Sequence, residues 1–378
     1  KWRAASLAAV ILALAALTGC GRNSVATPSP AAPPSPALSP AATSGGVSTA
    51  VPFGSGTAMT PRPPSEGLRR GGVLRFAVPE PPPHLDPHQT VSPALLTWGP
   101  GLAYSRLFKF DTGPGTESPN GDVVCDLCES WEMPTTTSLR VSLRADAGWQ
   151  RGPGPAAGVA GGRPVTAQDV VFSYRRMTTP GWPGAALMAN VASVEAVGGR
   201  VVEIRFRTPD AEALETLADA GARIVTEEAV AINGDLLRGP TVGSGPWALN
   251  ASDIEGASYQ ASPGYYEAGL PYLDGLDIRV IADAGTRVAA VRNRLLDLDQ
   301  AAFSDVKAAA AAFPDIRVTR VLEPGAGVSV GLNASVAPLN SPDVRRAVLA
   351  AIDPSAIIGA VWDGEGVVSA GLPVPGAS

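Results

Sequence analysis

The chain has 378 residues, with 29 basic and 35 acidic side chains, a formal net charge of −6 and two histidines. With 17% charged residues and this mild acidity, nucleic acid and anionic lipid are excluded as the main partner. Beyond an apolar and proline-rich N-terminal region, about 310 residues remain, enough for one large or two ordinary domains with real cores.

The chain opens with Lys1 and Arg3, followed by an unbroken apolar run from Leu7 to Leu17. Those residues make about 16 Å of helix, too short for roughly 30 Å of hydrocarbon. A basic start, a short apolar core and small residues before the break read as an export signal over 1–19. Its end, Leu17-Thr18-Gly19-Cys20, resembles the lipobox of bacterial lipoproteins. That resemblance implies a lipid on the Cys20 thiol and a membrane tether, which needs two or more acyl chains to hold stably. Residues 20–68 are dominated by Pro, Ala, Ser, Thr and Gly, with almost no charge. They read as an unstructured stalk that lifts a folded domain off the bilayer.

Strand and helix signals then alternate. In "GGVLRFAVP", Leu74, Phe76 and Val78 fall on one strand face and Val73, Arg75 and Ala77 on the other. "VVCDLCESWE" holds Cys125 and Cys128; outside the cytoplasm the pair reads as a disulfide or two free thiols. A zinc half-site is disfavoured because no second ligand pair exists, and a thioredoxin-like role because no βαβ pattern surrounds the pair. "SLRVSLRA" and "RVVEIRF" alternate as strands. "RPVTAQDVVFSYRRM" predicts a helix capped by Thr166, with Asp169 at its positive end and Val170, Val171 and Tyr174 on its apolar face. Further helices are predicted over Asp210 to Ala220 and Asp283 to Leu296, the latter running into "LLDLDQ" as a strand or turn. Ser341-Pro342-Asp343 and Asp353-Pro354 start two more, the second closed by Gly364. No internal repeat stands out.

Enzymatic signals are weak. His84 and His88 lie in "PHLDPH", where prolines forbid the regular helix that would put two imidazoles on one face, so no metal site is expected. "GSGTAM" and "GSGPW" lack the lysine and helix of a phosphate loop, and no Gly-x-Ser-x-Gly elbow occurs. No cofactor is expected.

Six blocks, taken in order, resemble a known family: "GGVLRFAVPEPPPHLDPH", "CESWE", "GRPVTAQDVVFSYRRM", "VGSGPWAL", "PGYYEAGLPYLDGLDIRVIAD" and "GLNASVAPLNSPDVRRAVLAAIDPSAIIGAVWDGEG". They are similar to the bacterial extracellular solute-binding proteins of family 5, the oligopeptide-, dipeptide- and nickel-binding lipoproteins of ABC importers. The resemblance implies an α/β, two-lobed periplasmic-binding-protein-like fold (type II, peptide-binding class), closing on ligand in the cleft between lobes. It places the first lobe over 69–330 and the start of a second over 331–378. The expected ligand is an oligopeptide or dipeptide, the expected partner the permease of an ABC transporter, and the expected state a monomer anchored outside the cytoplasm. In the family the cleft-lining strand end follows the first strand, which here makes Pro82, Pro83 and His84 the expected ligand contacts. An aromatic near the ligand falls in "TTPGWPGAAL", at Trp182.

Three departures accompany the resemblance. Pro81, Pro82 and Pro83 donate no N–H groups, so this edge offers carbonyls only. "WQRGPGPAAGVAGGRPVTA" replaces the family's short His-Asp-Gly turn by a Gly/Ala/Pro loop. Members of the family also continue past the position matching Ser378, so the second lobe is expected to be truncated here, with most ligand-setting residues beyond it. Two alternatives stay open: a binder of a nickel chelate, haem, sugar or other non-peptide solute, and a lipoprotein receptor or scaffold in signalling.

Overall fold

Period-two patterning builds the main sheet. In strands β5 (Cys128–Thr135), β6 (Ser138–Leu143) and β8 (Val201–Phe206), one face is apolar and the other charged. Leu139, Val141 and Leu143 are buried, as are Val202, Ile204 and Phe206, while Arg140 and Arg205 point outward. The antiparallel register sets Leu139 against Ile204 and Val141 against Val202, so both strands bury the same face. Each such side chain contributes about 1.5–3 kcal/mol of burial.

The computed structural model describes residues 54–57, 69–112, 121–151 and 158–300, and, of the rest, 306, 310–311, 313, 315–319, 330–364, 366 and 368. The chain divides between Thr49 and Ala50, and every described residue belongs to the second unit. The export signal over 1–19, Cys20, most of the expected stalk and residues 152–157 of the Gly/Ala/Pro loop lie outside the described residues.

In chain order the remaining strands are β1 (Gly54–Thr57), β2 (Val73–Val78), β3 (Phe108–Phe110), β4 (Val123–Cys125), β7 (Val191–Ala196), β9 (Trp247–Ser252), β10 (Gly256–Ala261) and β11 (Gly275–Val280). The helices are α1 (Pro93–Leu96), α2 (Ala167–Met177), α3 (Pro183–Leu187), α4 (Ala213–Ala218), α5 (Glu227–Asn233), α6 (Ala284–Arg292), α7 (Pro342–Ala351) and α8 (Pro354–Trp362). A five-stranded sheet runs β1-β5-β6-β8-β7, a four-stranded sheet β2-β11-β10-β9, and β3 pairs with β4. In the second sheet β2 lies parallel to β11, with Leu74 beside Leu276 and Phe76 beside Ile278. Their apolar face packs with Tyr259 and Trp98.

Helix α2 covers the five-stranded sheet. Thr166 accepts from the Asp169 N–H and the Asp169 carboxylate accepts from the Thr166 N–H, a reciprocal cap that fixes where the helix starts. Val170, Tyr174 and Met177 are buried beneath it, whereas Val171 is only half-buried.

Gln150, in the segment after β6, ties the 3₁₀ turn Pro100–Ala103 to the chain entering β9. Its side-chain amide reaches the carbonyls of Ala103, Gly245 and Trp247, at 3.3, 2.8 and 2.9 Å. Gly243 passes so close to the 3₁₀ turn Pro100–Ala103 that an added Cβ would stand 1.8 Å from the Ala103 carbonyl oxygen.

Several expectations are corrected. Gly54–Thr57, read as part of the unstructured stalk, pairs antiparallel with β5, because backbone bonding to a sheet edge needs no apolar side chain. The helix expected over Asp210 to Ala220 contracts to Ala213–Ala218, since Asp210 is engaged by the Asn190 amide and caps a turn at Glu212. α6 stops at Arg292, and Leu296 instead turns inward and is buried, with Leu298 bridging to Phe76. Ser341 precedes α7 without a side-chain cap, and α8 ends on Asp363 in the left-handed region, one residue before Gly364. Neither α7 nor α8 buries a side chain among the described residues.

Candidate functional site

The site is built where β2 delivers the chain into Pro81-Pro82-Pro83-His84. Pro82 is half-buried and Pro83 exposed. His84 is turned into its own loop: Nδ1 accepts from the Asp86 N–H at 3.1 Å, leaving Nε2–H to donate to the Thr90 hydroxyl at 2.8 Å. Both imidazole nitrogens therefore brace the loop.

Two residues on, Asp86 has no exposed surface and gathers five donors. Arg176, from the last turn of α2, holds both carboxylate oxygens, one at 2.9 Å. The His88 N–H at 3.0 Å, the Gln89 amide at 2.9 Å and the Leu236 N–H at 3.3 Å complete the set. Burial alone would push this carboxyl up, but the Arg176 guanidinium and these donors bring it down to about 2. Asp86 is thus an anion at neutral pH.

His88 is buried against the same pair. Its Nδ1 accepts from Arg176 at 3.0 Å and its Nε2–H donates to the Arg223 carbonyl at 2.8 Å, which fixes the neutral tautomer. Burial, with the Arg176 cation adding to it, lowers its pKa to about 4. Arg223 in turn donates to the carbonyls of Tyr104, Leu96 and Ala220. Through Asp86, Arg176, His88 and Arg223, six stretches of the chain are tied to one buried charged hub.

Trp182, at the start of α3, is half-buried with the Arg176 guanidinium 4.9 Å from its ring centre. Arg176 therefore lies between Asp86 and the indole. Of the residues expected from the sequence, His84 accepts from the Asp86 N–H and Trp182 lies against Arg176, while Pro82 and Pro83 lie in the irregular segment between β2 and the hub.

Cys125 and Cys128 stand elsewhere, joined as a disulfide across the turn between β4 and β5 with their Cα atoms 4.9 Å apart. The turn they enclose carries Asp126, which is buried and accepts from the Arg106 N–H at 2.8 Å and from the Tyr266 hydroxyl.

Sequence reasoning missed Arg176, Arg223 and Gln150. An arginine closing a well-capped helix, together with an aspartate before Pro87, was the only available signal. The polar groups of the hub are engaged with one another or with backbone, so the arrangement fixes loops rather than activating a nucleophile. Among the described residues no group of three or more His, Cys, Asp or Glu side chains is placed to hold a metal.

Residues 122–378 match the family described as bacterial extracellular solute-binding proteins, family 5 Middle. A probable di/tripeptide-binding protein 5 of Pseudomonas aeruginosa is 29% identical over 300 residues, covering 72% of this chain and 53% of that protein. Heme-binding protein A of Haemophilus influenzae is 28% identical over 315 residues, covering 75% of this chain and 54% of that protein. The chain spans about half the length of the curated relatives it matches. Among solved structures, AgaA of A. tumefaciens R10 in complex with agropinic acid superposes with a TM-score of 0.67 at 25% identity, covering 81% of this chain and 59% of that one. DppA of Helicobacter pylori in complex with the peptide STSA gives 0.64 at 22% identity, covering 78% and 59%. The fold is that of the periplasmic binding proteins.

Proposed function

Since the chain belongs to the bacterial extracellular solute-binding proteins of family 5, we propose that it captures oligopeptides or dipeptides outside the cytoplasm and delivers them to the permease of an ABC transporter. The observation that carries this reading is the hub itself. Its buried charges fix the loop that follows the proline segment, through Asp86 and His88, and set the Arg176 guanidinium against the Trp182 indole. Such pre-organisation lowers the ordering cost of binding, which is what a ligand surface needs.

In this reading the carbonyls of Pro81, Pro82 and Pro83 accept N–H groups from an extended ligand, and Trp182 supplies an apolar plate. Backbone recognition of that kind tolerates varied side chains. The chain does no chemistry; it closes on ligand, and energy coupling belongs to the transporter. Lipidation at Cys20 keeps the monomer at the membrane surface near its permease.

One observation favours a second reading. Three prolines in a row remove the N–H donors with which a strand end would bind peptide carbonyls. A non-peptide solute bearing several donors fits a carbonyl-only edge, and relatives named for haem and for agropinic acid support that range.

Native mass spectrometry on gently purified protein separates the two. Retained masses corresponding to short peptides support the first reading. A retained non-peptide solute, with no peptide adduct, overturns it in favour of the second.

A further inference from the structure

The strand β1 lies inside a tract whose composition gives no reason for it to fold. Its four residues, Gly-Ser-Gly-Thr, pair with Met133, Glu132, Trp131 and Ser130 of β5. Directly opposed residues of an antiparallel pair project to one side, so Gly54 and Gly56 face Met133 and Trp131, while Ser55 and Thr57 face solvent with Glu132 and Ser130. A Cβ at Gly56 would stand 2.5 Å from Trp131 Nε1 and 2.9 Å from Cε2; at Gly54 it would stand 3.4 Å from Trp131 Cζ3. The indole thus lies against bare backbone, and the alternate glycines are what admit it.

From this we infer that the β5 edge beside Trp131 is a strand-acceptor site selective for a Gly-x-Gly segment, and that Gly54–Thr57 occupies it as a reversible strap. Without the strap β5 is an open sheet edge with unpaired backbone groups. Glycine loses the most conformational freedom on ordering, and no side chain of the strap is buried. A short edge strand held only by backbone bonds and one indole belongs to the least stable part of a fold. When the strap is paired, the N-terminal tract joins the folded body at β5. When it is released, the first described attachment to the folded body is at the approach to β2. The strap sets the reach of whatever holds the N-terminus.

Residue-resolved hydrogen exchange on the full chain tests this. The variant G56V is expected to exchange the Ser130–Met133 amides that face β1 at least about tenfold faster, with the Leu139–Val141 amides of β6 unchanged as a check on the fold. The variant S55V/T57V places valines on the solvent side of the same strand and is expected to keep the protection. Should G56V fail to fold, G56A reads the same comparison with one added methyl group. Equal exchange in the glycine variant and the wild-type chain, or equal loss in S55V/T57V, would overturn the site. Protection that rises with protein concentration would overturn the strap as its occupant.

Discussion

Arg176 grips Asp86 from ninety residues away in sequence, holding both carboxylate oxygens in a place where the aspartate has no exposed surface. Removing one partner strands the other charge without solvent or a counterion. D86N or R176M alone is therefore expected to cost about 3–5 kcal/mol. The double variant D86N/R176M is expected to cost less than the two single effects added. Urea midpoints of the four proteins check this; additive effects would mean that the pair is not coupled.

His88 makes the same hub sensitive to pH. Its ring is held neutral by burial and faces Arg176, Asp86 and the Arg223 carbonyl, with a pKa lowered from 6.5 to about 4. Between those values the unfolded chain binds a proton that the folded chain does not. Stability is thus expected to fall as pH drops from about 6.5 to 4, by about 3 kcal/mol. The Asp86 contribution behaves separately: its pKa is lowered to about 2, so it is present above the unfolded value and is lost only as pH falls from near 4 toward 2. H88Q is expected to flatten the upper window and leave the lower one, as measured by unfolding at a series of pH values.

The contacts of Gln150 and Gly243 around the 3₁₀ turn are a third target. Replacing Gln150 by leucine removes the donor from the Gly245 and Trp247 carbonyls, and is expected to cost about 1–3 kcal/mol. G243A forces a methyl group against the Ala103 carbonyl and is expected to cost about 2–3 kcal/mol. Thermal melts of both variants give the comparison; an unchanged melt for G243A would mean that the loop does not pass the 3₁₀ turn so closely.

The Cys125–Cys128 bridge closes only four residues, so loop-closure entropy limits it to about 2 kcal/mol. Reduction by a dithiol is expected to lower the melting temperature by a few degrees without unfolding the protein. A loss several times larger would assign the bridge a role in holding Asp126 against Tyr266.

What could be read from the sequence was local. The start of α2 follows from Thr166 and Asp169 three residues apart, and β6 and β8 follow from strict alternation. The hub was out of reach because its partners are separated by 88 to 150 residues, and nothing in a local pattern says which arginine a buried aspartate will find. His84 lies in the first resembling block and Trp182 in the stretch after the third, whereas Arg176, which lies between Asp86 and the indole, carries no local signal that sets it apart from Arg175 beside it. The strap was invisible for the opposite reason: Gly54–Thr57 has no apolar pattern, and its pairing rests on the absence of side chains beside Trp131.

The central claim is peptide capture, and a thermal melt of the protein with and without mixed di- and tripeptides tests it most directly. A ligand at a hundred times its Kd stabilises by about 2.7 kcal/mol, and the account expects the melt to rise by several degrees. A melt unmoved by peptides but raised by haem or another non-peptide solute would contradict it.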